Sequence, residues 1–130
     1  MHSILIVDDD TNYQRVLRYT LHRAGYDVRV ASNGEAGLTA LNEKLADLII
    51  VDLMMPFMNG ITMVNLMHQN ELLAHIPVII LTASGDYAER QAAEESGVNM
   101  VLTKPISSHT ILGSIAEVLG ILETSPNQKL

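Results

Sequence analysis

Apolar positions along this chain follow two patterns. ILIV at 4–7, LIIV at 48–51 and VIIL at 78–81 are short continuous runs, and the stretches between them place apolar residues at helical spacing. Continuous runs of four to eight residues bounded by turn signals suit buried strands. The spacing predicts a strand at 4–7, then a helix over 11–24 with Val16, Leu17, Leu21 and Ala24 on one face. Thr11 or Asp10 would cap that helix, and Gly25 would close it. YDVRVA at 26–31 alternates as a second strand, and Asn33-Gly34 turns into a helix over 35–45. The third strand, 48–51, runs onto Asp52; a loop, LMMPFMNG, follows, and Asn59 caps a helix over 60–72. Pro77 leads a fourth strand ending at Thr82, and a helix over 87–96 ends at Gly97. The fifth strand is VNMVLT at 98–103, before Lys104-Pro105. The last helix, 107–122, carries Ile111, Leu112, Ile115, Val118, Leu119 and Leu122 as a stripe, and 123–130 is a tail or the start of a linker.

Strand and helix alternate five times, which predicts an α/β protein with a parallel sheet covered on both faces. Five units suit a flavodoxin-like (βα)5 doubly wound sheet in the order 2-1-3-4-5. Runs 1, 3 and 4 are apolar throughout, as strands buried on both sides are. Ligands in such sheets sit beyond the carboxyl ends of the strands, here between strands 1 and 3. The helix over 87–96 has only Tyr87, Ala88, Ala92 and Ala93 to bury, so it is predicted to be the least stable element.

Composition narrows the picture. The 130 residues suit one domain, placed at 1–122. Aromatics are 4% of a chain that is 48% apolar, so aliphatic side chains and seven Met must fill the core. Without Cys there is no disulfide and no thiolate zinc site, and the cytoplasm is the expected compartment. The net charge is −7 and the eight Lys and Arg are scattered, which argues against direct nucleic-acid binding. Apolar runs such as IPVIIL at 76–81 fall far short of the roughly 20 residues that span a bilayer, and Asp8 arrives too early for a secretory signal.

The candidate chemistry lies at the strand ends. Asp8 and Asp9 follow strand 1, Asp52 ends strand 3, Thr82 ends strand 4 and Lys104 follows strand 5, so all five would project from one sheet edge. Two carboxylates about 4 Å apart repel by about 4 kcal/mol at an effective dielectric of about 20. A divalent cation relieves this, and an all-oxygen set suits Mg²⁺, with Mn²⁺ able to substitute. Zinc is disfavoured, because the five His (2, 22, 68, 75 and 109) have no paired ligand spacing. A cation beside a carboxylate, a hydroxyl and a lysine is a site for phosphoryl transfer. Asp52, alone at the end of the central strand, is the best-placed nucleophile for an aspartyl phosphate.

These residues resemble the receiver domain of two-component response regulators, over about residues 3–122. The motifs are VDDD at 7–10, ASNGEA at 31–36, DLMMPFMNG at 52–60, ILTAS at 80–84 and LTKP at 102–105. Each is weak alone, but five in order at strand ends are specific. The resemblance implies that Asp52 accepts the phosphoryl group and that Asp9 binds Mg²⁺ directly with Asp8 assisting. It implies that Met54 offers a main-chain carbonyl to the metal, that Thr82 is the switch hydroxyl and that Lys104 faces the phosphate. It assigns Pro56 and Gly60 to the loop leading into the third helix, and makes Lys104-Pro105 a candidate cis bond. The implied donor is a histidine kinase or phosphotransfer protein, with a downstream effector protein or a separate output domain as target. Met54 and Ser84 match positions that set phosphate lifetime in the family. One position departs: Val101 stands where the family carries Tyr or Phe, which questions how the signal reaches the 87–103 face. The last two helices also lack the ordered charges of receivers that pair through that face on DNA.

Plainer readings stand beside these. Acids at 8–10 could simply favour a helix N-terminus, by about 0.3–1 kcal/mol, and that reading is preferred for Asp10. Thr82 could merely end a strand, and Lys104 could be a solvated surface residue. Met54, Met55, Met58, Met63 and Met67 are expected to pack conventionally rather than form an adaptable contact surface. Two other functions fit the residues less well. An aspartyl-nucleophile phosphatase would want a second carboxylate after the nucleophile, where Leu53 and Met54 stand, and a lid. A degenerate receiver acting only as a docking module is favoured by Val101 and opposed by the intact Asp9, Asp52, Thr82 and Lys104. The protein is expected not to be an enzyme beyond catalysing its own phosphoryl transfer and autodephosphorylation.

Overall fold

The computed structural model describes residues 1–83 and 85–121; Ser84, Leu122 and the 123–130 tail lie outside the described residues. Ten elements alternate: β1 Ser3–Val7, α1 Thr11–Arg23, β2 Asp27–Ala31, α2 Gly34–Glu43, β3 Leu48–Asp52, α3 Gly60–His68, β4 Val78–Thr82, α4 Tyr87–Glu95, β5 Met100–Thr103 and α5 Ser108–Leu119. The sheet is five-stranded in the order β2-β1-β3-β4-β5, with all four pairings parallel. The flavodoxin-like order expected from the sequence is therefore the order observed.

Strand side chains alternate between faces, and here the alternation builds two separate cores. Leu5, Val7, Ile49, Val51, Val78 and Ile80 face α2, α3 and α4, packing with Leu41, Met63, Met67 and Ala93. Ile4, Ile6, Leu48, Ile50, Ile79 and Leu81 face α1 and α5, packing with Leu17, Leu21, Ile111 and Ile115. Both faces are covered, which explains why these runs show no polar alternation. Met63 and Met67 are wholly buried, Met55 is buried and Met58 packs against the same core, so only Met54 of the five clustered methionines is exposed.

Several boundaries differ from the sequence expectation. Asp10, not Thr11, caps α1, its carboxylate accepting from the main-chain N–H groups of Asn12 and Tyr13. Val16 is 64% exposed and Ala24 is exposed; the buried stripe of α1 is Gln14, Leu17 and Leu21. The apolar spacing misled because a polar residue, Gln14, occupies the first buried turn. Helix α3 stops at His68 rather than 72, and residues 69–75 form turns that still bury Leu73. Strand β5 begins at Met100 rather than 98, after Asn99 has used its side-chain oxygen to accept from the N–H of Val78 at 3.0 Å. Of the four residues expected to anchor α4, only Ala93 is buried, and Tyr87 is 78% exposed. No helix among the described residues is long and apolar enough to cross a membrane.

Candidate functional site

The parallel register brings the carboxyl ends of β1, β3, β4 and β5 to one edge. Val7 lies opposite Val51, Asp52 opposite Leu81 and Thr82 opposite Thr103. The ladder continues past the strands, with Asp8 N–H donating to Ala31 O at 3.0 Å and Lys104 N–H to Thr82 O at 2.7 Å. Alternation from Ile4 and Ile6 carries Asp8, from Leu48 and Ile50 carries Asp52, and from Met100 and Leu102 carries Lys104 toward the α1 face. Thr82 and Val101 alternate to the α4 face.

Asp8 is 2% exposed and Asp52 is 8% exposed, and Asp9 is open to solvent. Carboxylate oxygens of the three lie within 4.8 Å of one another. Asp8 is held from two sides: the N–H of Asp10 donates to one oxygen at 2.9 Å, and Lys104 Nζ donates to the other at 2.9 Å. Lys104 Nζ also lies 3.6 Å from Asp52 Oδ1, so one ammonium spans two buried acids. Burial pushes the Asp52 carboxyl up from 3.8 to about 6; Lys104 opposes the rise, Asp8 and Asp9 add to it, and a hydrogen bond from the Met54 main chain opposes it. For Lys104 burial works the other way, but the Asp8 hydrogen bond and the Asp52 charge outweigh it and hold the ammonium above its ordinary range.

The cis Lys104-Pro105 bond expected from the sequence is present. Gly60 allows a close main-chain approach: a Cβ there would lie 2.7 Å from the carbonyl oxygen of Asp52. Its N–H donates to Leu53 O at 2.8 Å, pulling the start of α3 against the end of β3. Phe57, at the tip of the same loop, is fully exposed at a φ of +68°, within a turn closed by Met58 N–H on Pro56 O at 2.7 Å.

Asp8, Asp9, Asp52 and Lys104 thus converge as the sequence suggested, and Thr82, wholly buried, ends the neighbouring strand. Asp10 serves as a helix cap. All five His are exposed on separate segments.

Two residues of the site escaped the sequence reading. Gln14 is buried, and its amide donates to the main-chain oxygens of Asp8 and, at 3.3 Å, Ala31, and to Ser32 Oγ at 3.3 Å, tying the ends of β1 and β2 together. A polar residue at i in an i, i+3, i+7 stripe was the available signal. Tyr13 is half-buried, its ring centroid 4.2 Å from Lys104 Nζ. Its position three residues past the Asp10 cap was the only sequence trace of that role.

At Val101, the position that departs from the family's aromatic residue, Arg90 of α4 reaches across. Its guanidinium donates to Val101 O at 3.1 Å and to Thr103 Oγ1 at 2.5 Å, and it pairs with Glu94 at 3.1 Å.

Fold and site together define a doubly wound α/β protein with an acid and lysine cluster at the topological switch point of its sheet. The response regulator receiver domain profile matches residues 4–116, and the chain belongs to that family, the receivers of two-component signalling. It is similar to the transcriptional regulatory protein GltR of Pseudomonas aeruginosa, 39% identical over 117 residues, which are 90% of this chain and 48% of that protein. It is also similar to the alkaline phosphatase synthesis transcriptional regulatory protein PhoP of Bacillus subtilis, 34% identical over 90% of this chain and 48% of that protein. The chain spans about half the length of these curated relatives. A solved chain described as a response regulator from Chloroflexus aurantiacus superimposes with a TM-score of 0.87 at 34% identity, over 92% of this chain and 98% of that one.

Proposed function

We propose that this receiver accepts a phosphoryl group on Asp52 from a phosphohistidine of a histidine kinase or phosphotransfer protein. The observation that carries the proposal is Lys104 bridging Asp8 at 2.9 Å and Asp52 at 3.6 Å inside a three-carboxylate cluster. Such a cluster is costly alone and suits a divalent cation that would balance its charge before an anionic phosphoryl group arrives. Three carboxylates with no thiolate or imidazole fit a hard cation such as Mg²⁺, or Mn²⁺ in its place, held by Asp8, Asp9, Asp52 and the Met54 carbonyl. When bound, the cation would neutralise carboxylate and phosphoryl charge.

The remaining chemistry belongs to the chain. An Asp52 oxygen attacks phosphorus, the P–N bond to the donor imidazole breaks, and its electron pair leaves with the imidazole. Lys104 moves its ammonium onto a phosphoryl oxygen, and the Thr82 hydroxyl donates to another. Thr82 pairs in register with Thr103, whose hydroxyl Arg90 holds, so a pull on Thr82 would be felt by β5 and α4. The surface over residues 82–106 would thereby pass between two states and change its affinity for an effector protein or a separate output domain. The protein would turn over only its own phosphoaspartate, in the cytoplasm, with no direct contact to nucleic acid or membrane.

Beryllium fluoride with Mg²⁺ mimics the phosphorylated state. Amide NMR spectra with this pair should change along 82–106 in the wild type and stay unchanged in Asp52→Asn. An unchanged wild-type spectrum in that segment despite bound fluoride would contradict the switch.

A further inference from the structure

Lys104 has a third neighbour besides the two acids. Its Nζ sits 4.2 Å from the centroid of the Tyr13 ring, within cation–π range. The ring is set there by the start of α1. Asp10 caps the helix through the N–H of Asn12 at 2.9 Å and of Tyr13 at 3.2 Å, and Tyr13 packs against the α1–α5 core beside Ile106. The Lys104 side chain is only 16% exposed, so the contact is largely desolvated, where such interactions are stronger.

The three contacts differ in what phosphorylation would do to them. A cation would draw on the carboxylates of Asp8 and Asp52, and the acceptor oxygen of Asp52 becomes the bridging oxygen of an acyl phosphate. The ring face is neutral and binds neither metal nor phosphorus, so it persists through the reaction. We propose that Tyr13 is a positioning residue that holds the Lys104 ammonium at the cleft through its ring face while the lysine passes from Asp8 to the phosphoryl oxygen. This rests on the assignment of Asp52 as acceptor.

The test compares Tyr13→Phe, Tyr13→Leu and a series with increasingly fluorinated phenylalanine at the same position, which drains the ring face at nearly constant shape. The readouts are the rate of Mg²⁺-dependent phosphorylation by acetyl phosphate, the affinity for beryllium fluoride, and the melting temperature. Tyr13→Phe should match the wild type. Rate and affinity should fall stepwise with fluorination, reaching about five- to thirtyfold, while the melting temperature falls by only a few degrees; Tyr13→Leu should lose as much rate and affinity. A flat fluorine series would overturn the inference, and so would an equal loss in Tyr13→Phe, which would assign the effect to the hydroxyl. A wild type that takes up no phosphoryl group would instead overturn the assignment of Asp52, and the inference with it.

Discussion

Removing the central charge should stabilise the metal-free fold. The Asp52 carboxyl is pushed up to about 6 by burial and by Asp8 and Asp9, against an ordinary 3.8, so the native state binds the proton more tightly than the unfolded chain. With the folded value raised, stability is fully present below about pH 3.8 and is lost as pH rises through about 6. The gap corresponds to about 3 kcal/mol at pH 8 and about half of that at pH 5. Asp52→Asn keeps the shape, removes the titration, and leaves Lys104 its 2.9 Å bond to Asp8. In EDTA the variant should therefore exceed the wild type by up to about 3 kcal/mol at pH 8, or about 10 °C in Tm for a chain of this size, and by clearly less at pH 5. Magnesium should narrow the difference, because the wild type gains about 1.4 kcal/mol at a tenfold excess over its Kd and the variant, with one carboxylate fewer, gains less. Thermal and urea melts at both pH values, with EDTA and with Mg²⁺, measure this. An Asn variant less stable than wild type in EDTA, or an advantage equal at pH 5 and pH 8, would refute the reasoning.

Three further outcomes follow from the same geometry. Lys104→Met leaves Asp8, at 2% exposure, without its cation, and should cost roughly 3 kcal/mol in EDTA melts at pH 8, part of it recovered by Mg²⁺. Gly60→Ala places a Cβ 2.7 Å from the Asp52 carbonyl oxygen, a main-chain atom, and should cost about 1–3 kcal/mol in urea melts and slow phosphorylation by acetyl phosphate. Phe57→Gly relieves a positive φ at a side chain that packs on nothing, and should raise stability by about 0.5–1 kcal/mol, read as a higher urea midpoint at unchanged slope.

The sheet was legible because its signals are local: three uninterrupted apolar runs, each ending in chemistry, leave little choice of strand order. The site was legible for the same reason, since Asp8, Asp52 and Lys104 sit at strand ends that a parallel sheet must align. What escaped the sequence depends on packing across elements. The apolar appearance of Val16 and Ala24 hid a helix face whose first turn is filled by Gln14, anchored to the main chain of Asp8 and Ala31. The end of α3 at His68 is set by turns that bury Leu73, which periodicity does not register. Tyr13 over Lys104 and Arg90 on the main-chain oxygen of Val101 join residues 91 and 11 positions apart, the second linking a helix to the strand after it, and neither leaves a pattern in the chain.

The most direct measurement is the intact mass after incubation with acetyl phosphate, with and without Mg²⁺, on wild type and Asp52→Asn. The account predicts one added phosphoryl group in the wild type, dependent on Mg²⁺ and absent from the variant. Addition without Mg²⁺, or equal addition to Asp52→Asn, would contradict it.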